Sequence, residues 1–463
     1  MPAGELARDR TSICTLACAS PLSRASPRAQ LTSVGPRASA GLKPLPPAMS
    51  TPTTLPTSYR SLLQVRGLPR LVVAAMLGRI GGQMASVALV LFALERFHSP
   101  AVAGITVFAS AFPGIVVSPL AGAILDRSGR IKLIMLDYSV AAFAMALIVA
   151  LGATGVLTAA LLVGVAALSS FTNPLSGAGT RTLFPILVPR DLWDRANAVD
   201  SVSYVVAAVV GAPLAGSIAG LVGRPAALIA TAAMFAAAAL SLLGMAPLPL
   251  PRRPTGDQRV IREAWQGLAY VVRNPSLRGL AVSISVSNIA SGLLIVGLPV
   301  LVLDHLHENA AVVGLLWALS ALTGGVVAIM VGRRGTHGRE RRLIVAGLLA
   351  AAVACAALAP LPGLWVVAAA MLLWGAAGGL IDIGMFSMRQ RRTDPAWFGR
   401  AFAVSMSLNW VGSPIGSAAA GPLIGAGLGI ALGTGAGFAF VAVLIAMLMI
   451  PATAMAVAAP PPG

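Results

Sequence analysis

Twelve long apolar segments restrict what this chain can fold into more than any other feature of its sequence. Each is close to or longer than the ~20 residues that cross a ~30 Å hydrocarbon layer at 1.5 Å per residue. Charged residues make up only 10% of the chain, whereas soluble domains carry about 25%. The segments comprise residues 70–95, 101–124, 131–152, 156–178, 198–222, 225–247, 278–302, 310–332, 343–360, 363–387, 401–426 and 428–452.

Segments of this length predict helices, because the strands of a membrane barrel are shorter and alternate in polarity. We therefore expect an all-α integral membrane protein with twelve transmembrane helices. The longest polar stretch between two segments separates the sixth from the seventh. This spacing predicts two six-helix bundles joined by a linker.

The chain accordingly divides into five regions. Its first part is rich in Ser, Pro, Ala and Arg, and Met49 is a possible alternative start within it. In the linker, Ile261, Trp265, Leu268 and Val272 recur at helical spacing, which predicts an amphipathic helix at the membrane surface. The predicted regions are a disordered N-terminal tail (1–69), a first bundle (70–247), the linker (248–277), a second bundle (278–452) and a disordered C-terminal tail (453–463).

The two predicted bundles show a weak internal repeat. Gly211 and Gly216 in the fifth segment correspond to Gly416 and Gly421 in the eleventh, each 205 positions later. A parallel repeat of this kind relates two bundles by pseudo-symmetry and places a substrate site between them, near the bilayer midplane.

Basic residues cluster in every second loop. The formal net charge is +18, and most Lys and Arg fall in residues 1–70, 127–132, 181–195, 252–278, 333–342 and 389–400. By the positive-inside rule these loops and both termini are cytoplasmic, in a multi-pass protein of the cytoplasmic membrane. The distribution indicates a lipid bilayer as the partner of this charge and argues against nucleic acid.

No catalytic, metal or cofactor motif stands out. The three cysteines lie in different regions of the chain: Cys14 and Cys18 are in the polar tail, and Cys355 is in an apolar segment. No Ser/His/Asp arrangement, metal-ligand cluster or phosphate-binding glycine loop is present at membrane depth. We therefore expect no enzyme activity, no metal and no cofactor.

Four charged residues fall inside the apolar segments, where a charge is costly and usually faces a bundle interior or a wet cavity. Asp382, near the end of the tenth segment, is the leading candidate for proton coupling, because the helix dipole does not favour an acid there. Asp137 and Asp200 are further candidates, although Asp200 also fits a simple role near a helix N-terminus.

Arg79 shares one helix face with Gln83 and Ser86, which predicts that this face lines a substrate cavity; a structural arginine is the alternative. The seventh segment contributes small polar residues at similar spacing, for which cavity lining and helix packing are both open. These residues are Ser287, Asn288 and Ser291.

Proline and glycine residues inside the segments mark predicted hinges. Proline lacks the N–H that continues a helix, and small residues allow helices to approach closely. The predicted hinge residues are Pro174, Pro213, Gly216, Pro414 and Pro422.

Two stretches carry a resemblance to a known family. The sequence Gly-Ala-Ile-Leu-Asp-Arg-Ser-Gly-Arg-Ile-Lys (122–132) resembles the loop between helices 2 and 3 of major facilitator superfamily transporters. Residues 262–278 resemble the linker of the branch that includes enterobactin and macrolide exporters. The stretch 208–216 resembles the antiporter pattern G-x-x-x-G-P-x-x-G, with Ala208 and Ala212 in place of its first two glycines.

The resemblance implies a conformational latch that forms when the cytoplasmic side is closed. In it, the loop between the second and third helices docks against the start of the eleventh. The implied latch residues are Gly122, Asp126, Arg127, Gly129, Arg130 and Arg400. The corresponding stretch of the second half, 332–342, has no acid at the position of Asp126, so the latch is expected in one half only.

The resemblance also implies a secondary active transporter that works by alternating access. Its expected activity is proton-coupled efflux of an amphipathic drug-like compound or secondary metabolite, by a protein that is a monomer. The expected partners are a small-molecule substrate, protons and the lipid bilayer. Uptake of a polar solute such as a sugar or organic acid by symport is one alternative, and a non-transporting membrane sensor is another.

Overall fold

A computed structural model describes residues 59–128, 130–189, 192–245, 257–394 and 397–452. The secondary structure of this part of the chain is helical. The helices are α1 (Tyr59–Leu63), α2 (Leu68–Phe97), α3 (Pro100–Ser128), α4 (Arg130–Ala153), α5 (Ala159–Ser170), α6 (Asn173–Leu187), α7 (Trp193–Leu221), α8 (Arg224–Ser241), α9 (Asp257–Arg273), α10 (Pro275–Val300), α11 (Ala310–Arg334), α12 (Glu340–Leu358), α13 (Leu364–Arg392), α14 (Phe398–Trp410), α15 (Gly412–Ala426) and α16 (Leu428–Met449).

The predicted all-α membrane fold is confirmed. Eleven stretches of the described chain are each long and apolar enough to cross a membrane. The remaining predicted span, the eleventh in chain order, is divided into α14 and α15 at Val411. Neither part reaches across ~30 Å alone at 1.5 Å per residue, but the two together do. Helices α2–α8 form the first bundle and α10–α16 the second.

Two spans are interrupted, and both interruptions lie just before a proline. The fourth span stops at Ser170 and restarts at Asn173, ahead of Pro174, while the eleventh breaks at Val411, ahead of Pro414. A proline ring clashes with the carbonyl group of the preceding turn, which explains the position of both breaks. The other two predicted hinge prolines, Pro213 and Pro422, lie inside helices α7 and α15 that continue through them.

The two helices that meet in the charged stretch 122–132 extend further into it than the predicted segments, which end at 124 and begin again at 131. Helix α3 continues through Asp126 and Arg127 to Ser128, and α4 begins at Arg130. Helix α13 likewise runs to Arg392, beyond its predicted end at 387. Charged residues end an apolar segment of sequence, but they do not disfavour the helical backbone itself.

The linker contains helix α9, in the region where a helix was predicted. Its inner face is formed by Val271, which is buried, and Tyr270, which stacks on Trp397 with ring centroids 5.3 Å apart. Trp265 and Val272, two residues of the predicted apolar face, are exposed. That face therefore points away from the bundle, as a face that meets the membrane surface would.

The predicted terminal tails fall largely outside the described residues. Residues 1–58 and 453–463 are not described, and neither is 246–256 in the linker. Within the segment predicted to be a tail up to residue 69, the structure has the short helix α1 and the first turn of α2.

Because successive spans cross in opposite directions, the basic clusters in every second loop all lie at one end of the bundles, here termed the basic side; the other end is the opposite side. At the opposite side the bundles meet through small residues. A β-carbon on Gly216 of α7 would lie 2.8 Å from the Cα of Gly314 on α11, and Ala101 of α3 lies directly against Gly421 of α15. The backbones are therefore in direct contact, and the opposite side is closed.

This closure predicts a strong difference between two glycines one turn apart on α15. Gly421→Ala places a methyl group against the backbone of Ala101, whereas Gly425→Ala enters open space. Overpacking costs about 1–3 kcal/mol, so Gly421→Ala should populate a state that is open at the opposite side. Thiol labelling of a Ser291→Cys reporter, in a background without Cys14, Cys18 and Cys355, measures this opening with a membrane-impermeant reagent.

Labelling from the opposite side should increase in Gly421→Ala and stay at the reference level in Gly425→Ala. Equal labelling in the two variants would mean that the contact does not hold the bundles closed.

Candidate functional site

A cavity lies between the two bundles. Its volume is about 200 Å³, and its walls come from α2 and α7 of the first bundle and α10 and α11 of the second. Amide, hydroxyl and apolar side chains alternate around it, and its described lining carries no charge. The lining residues are Gln83, Ser86, Val87, Ala208, Ala212, Ser291, Ile295, Pro299, Trp317, Ser320 and Ala321.

Three of the six predicted cavity residues, Gln83, Ser86 and Ser291, line this space. Ser287 is buried between helices. Asn288 donates a hydrogen bond from Nδ2 to the backbone oxygen of Asn409 at 2.8 Å, which ties α10 to α14. For these two residues the structure favours the helix-packing alternative.

Arg79 forms an ion pair with Asp200 on α7. The distance from Arg79 Nη2 to Asp200 Oδ1 is 2.6 Å, and only 11% and 14% of the two side chains is exposed. Arg79 Nη1 also donates to the backbone oxygen of Asp200 at 3.1 Å and to the hydroxyl of Ser203. The guanidinium group of Arg79 thus finds its hydrogen-bond and ion-pair partners within one turn of α7, and it ties α2 to α7.

An aromatic ring completes this cluster. The guanidinium carbon of Arg79 lies 3.7 Å from the centroid of the Tyr204 ring, a distance at which the ring face attracts a cation. Arg79 and Tyr204 each lie one helical turn to the basic side of a lining residue, Gln83 and Ala208. The cluster therefore forms a charged but internally compensated layer beneath the cavity.

Asp382 lies on α13 with an exposed side chain. It interacts electrostatically with Arg389, two turns further along the same helix. Arg389 is buried, and its Nε donates to Ser405 Oγ on α14 at 3.0 Å. Asp382 therefore lies in the half of α13 nearer the basic side and has a cation nearby.

Asp137 lies in a different environment, on α4 in the first bundle. It is only 3% exposed, and it interacts with the hydroxyl groups of Thr172 and Ser176 at the interruption between α5 and α6. Its Oδ1 has no hydrogen-bond partner in the described part of the chain. The three predicted proton-coupling acids thus differ: Asp200 is ion-paired, Asp382 is exposed and Asp137 is buried near hydroxyl groups.

The latch prediction falls mostly outside the described side chains. Nothing is described for the side chains of Asp126, Arg127 and Arg400 or for Gly122 and Gly129, and Arg130 is half-buried. The helices that carry the two partners, α3 and α14, are in contact.

Sequence reasoning missed the residues that pair with the predicted ones. Ser203 and Tyr204 follow Asp200 closely, but their relation to Arg79 spans more than 120 positions. Trp317 and Ser320 line the cavity from α11, and their spacing of three residues is a helical signal that could have identified a polar face in the eighth span.

The structure defines the class of protein: an α-helical membrane protein of two six-helix bundles around a central cavity, closed at one side, which is the architecture of a secondary transporter. The sequence profile of the Major Facilitator Superfamily matches residues 71–417 and, in a second match, 286–463. The chain belongs to the Major Facilitator Superfamily.

Its relatives agree with this assignment. The chain is 41% identical to the MFS-type transporter y4rN of Sinorhizobium fredii over 369 residues, which cover 79% of the chain and 91% of the relative. It is 27% identical to the multidrug efflux pump Tap of Mycolicibacterium fortuitum, over 77% of the chain and 88% of that protein.

Solved structures share the fold at low sequence identity. The nucleoside transporter NupG matches with a TM-score of 0.66 and 13% identity, over 83% of the chain and 99% of NupG. A bacterial homologue of the human lysosomal transporter Spinster, in an inward-facing and unoccupied conformation, matches with a TM-score of 0.61 and 16% identity, over 85% of the chain and 96% of the homologue.

The Arg79–Asp200 pair should couple strongly in a double-mutant cycle. Removal of either partner leaves the other charge in a place of low exposure, so the two single variants destabilise more than the double variant. We expect a coupling energy of about 1–3 kcal/mol between Arg79→Gln and Asp200→Asn, measured by thermal unfolding of the purified protein.

The control pair is Glu95–Arg224, whose atoms are 3.3 Å apart and whose side chains are 49% and 24% exposed. Exposed pairs contribute about 0–1 kcal/mol. A coupling energy for Arg79–Asp200 no larger than that of the control would show that the first cluster is not a structural tie.

Proposed function

We propose that this protein is a proton-coupled exporter of amphipathic drug-like compounds or secondary metabolites, acting as a monomer in the cytoplasmic membrane with its basic side and both termini in the cytoplasm. The observation that carries the proposal is the uncharged, amphipathic lining of the cavity. Trp317, Val87 and Ile295 offer apolar contact, while Gln83 and the serines offer hydrogen bonds. Sites of this composition suit ligands that are mostly apolar with a few polar groups.

The same lining argues against the uptake of an organic acid. A carboxylate substrate would need an available cation, and the nearest described arginine on the cavity-lining face of α2 is Arg79, which Asp200 already neutralises. The similarity to proteins named multidrug efflux pumps supports export, at 27–28% identity.

Alternating access gives the two sides of the cavity distinct roles. The closed opposite side matches a state that loads substrate from the cytoplasm. Export then requires the glycine contacts between α7 and α11 and between α3 and α15 to separate. Protons that bind an acid in the transporter from one side and leave to the other move down their electrochemical gradient, and this movement supplies the free energy for a cycle that moves substrate against its own gradient.

The proposal is tested with purified protein in proteoliposomes that have an acidic lumen. A label that reacts only with an outward-facing basic side counts the transporters in that orientation. A panel of cationic, neutral and anionic amphipathic dyes is added outside. We expect accumulation of at least one amphipathic compound in the lumen as protons leave. Proton-independent flux, or accumulation of sugars and organic acids alone, would contradict the proposal.

Asp382→Asn in the same assay tests the leading coupling residue. We expect this variant to lose uphill accumulation and to keep downhill exchange at least in part, while Asp382→Glu keeps some coupling because it retains a titrating group. The control is Asp304→Asn, an exposed acid at the opposite side, which should transport normally. Uphill accumulation by Asp382→Asn would make Asp382 a structural residue.

The proposed orientation is tested by labelling single cysteines in whole cells. His307 lies in an exposed loop at the opposite side, and Gln266 is exposed on linker helix α9 at the basic side. A membrane-impermeant thiol reagent should modify His307→Cys and leave Gln266→Cys unmodified, because the positive-inside rule places the basic side in the cytoplasm. The reverse pattern would invert the topology and turn the proposed exporter into an importer.

A further inference from the structure

The interruption of the fourth span places a helix N-terminus inside the first bundle. Helix α6 begins at Asn173, and the side chain of its N-cap residue, Thr172, donates back to the carbonyl of Ser169 at 3.0 Å and does not cap the helix. The N–H of Leu175 donates to the carbonyl of Thr172 at 2.8 Å. The first turn of a helix has N–H groups without partners inside the helix, and the N–H of Ser176 belongs to this turn.

Asp137 of the neighbouring helix α4 lies at this N-terminus. Its carboxyl group lies close to Thr172 and Ser176 at the start of α6, and the hydroxyl groups of these two residues donate to the carbonyls of Ser169 and Asn173. A carboxylate at a helix N-terminus is favoured by the free N–H groups and by the helix dipole. Asp137 therefore lies beside the helix end that the Thr172 side chain leaves uncapped, although it belongs to another span.

One oxygen of Asp137 has an unused hydrogen-bonding position. Asp137 is 3% exposed, and its Oδ1 has no hydrogen-bond partner in the described part of the chain. A buried acceptor without a donor is rare. A protonated carboxyl group carries its hydrogen on one such oxygen, so this oxygen is where a bound proton would reside.

We propose that Asp137 is a proton-binding site whose protonation state controls how half-helix α6 is held against α4. As a carboxylate, Asp137 is attracted to the α6 N-terminus by its charge. A proton from water forms an O–H bond at Oδ1 and gives a neutral acid, which removes the attraction to the helix end; its release restores that attraction. This inference rests on the proposed function, in that it assigns to proton coupling a second binding site besides Asp382.

The surroundings of Asp137 distinguish it from Asp200. No described Lys, Arg or His forms an ion pair with Asp137, whereas Asp200 would have to release Arg79 before it bound a proton. Tyr138 follows Asp137, and its ring packs against Gly78 on α2, next to Arg79. Other charged residues nearby in the chain are Arg130 and Lys132 on α4 itself. The helices α3 and α6, which pack against α4, carry Asp126, Arg127 and Arg181, and the side chains of these three residues are not described.

The interruption is also connected to helix α3. Asn173 Nδ2 donates to the backbone oxygen of Ser110 at 3.2 Å, and Gly114 lies against the carbonyl of Ser170, where a β-carbon would clash. The start of α3 is the part that contacts α15 at the closed opposite side. A change in how α6 is held can therefore shift α3 and weaken that closure.

The test measures conformation without substrate, so its result is independent of what the protein transports. Spin labels are placed at His98→Cys and Ala426→Cys, both exposed at the opposite side, in a background without the native cysteines. Pulsed electron resonance gives the distance between them in acidic and alkaline buffers. We expect the unaltered chain to shift between two distance populations, and Asp137→Asn to keep the acidic population in both buffers.

Asp137→Glu should retain the shift, as should the control Asp304→Asn. A normal pH-dependent shift in Asp137→Asn, or the absence of a shift in the unaltered chain, would overturn the proposal. If Asp137→Asn does not fold, Ser176→Ala provides the decision. It removes a hydroxyl group close to the carboxyl group of Asp137 and should change the midpoint of the shift; an unchanged midpoint would also overturn the proposal.

Discussion

A hydrocarbon layer contains no water to satisfy backbone N–H and C=O groups, and this constraint governs the structure more than any side-chain interaction. It forces the spans into helices, in which each backbone N–H group pairs with a C=O group of the same span. It also means that a break in a span survives only where other groups replace the lost hydrogen bonds. The break at Phe171–Thr172 meets Asp137, Asn173 and the backbone of α3, while the break at Val411 lies next to Asn409, whose carbonyl accepts from Asn288. In both places the polar residues of the bundle are found where the backbone is incomplete.

The sequence was sufficient for the spans and for the charged residues within them, because both signals are local. The length of an apolar run predicts a span directly, and a charged residue within the run, such as Arg79 or Asp137, is easily recognised. The partners of those residues were not predictable in the same way. Arg79 meets Asp200 and Tyr204 only because α2 and α7 pack together, and nothing near position 79 specifies that contact.

Two local predictions were incomplete for a related reason. Glycine and charge at 122–132 predict the end of a helix near residue 124, but the backbone of α3 continues to Ser128. The apolar spacing of α9 predicts a helix with one apolar face, which points away from the bundle, but it does not predict that Val271 and Tyr270 pack inward. Periodicity finds an apolar face; the shape of the neighbouring surface decides which side of it is buried.

The internal compensation of Arg79 by Asp200 has an electrical consequence. A unit charge that crosses the membrane potential changes its energy by about 2.3 kcal/mol per 100 mV. Because the two opposite charges are 2.6 Å apart and sit on helices of the same bundle, they move together, and their contributions cancel when the bundle rocks. The membrane potential therefore acts on the net charge that enters with the substrate or the proton. Its net effect on the Arg79–Asp200 pair is close to zero.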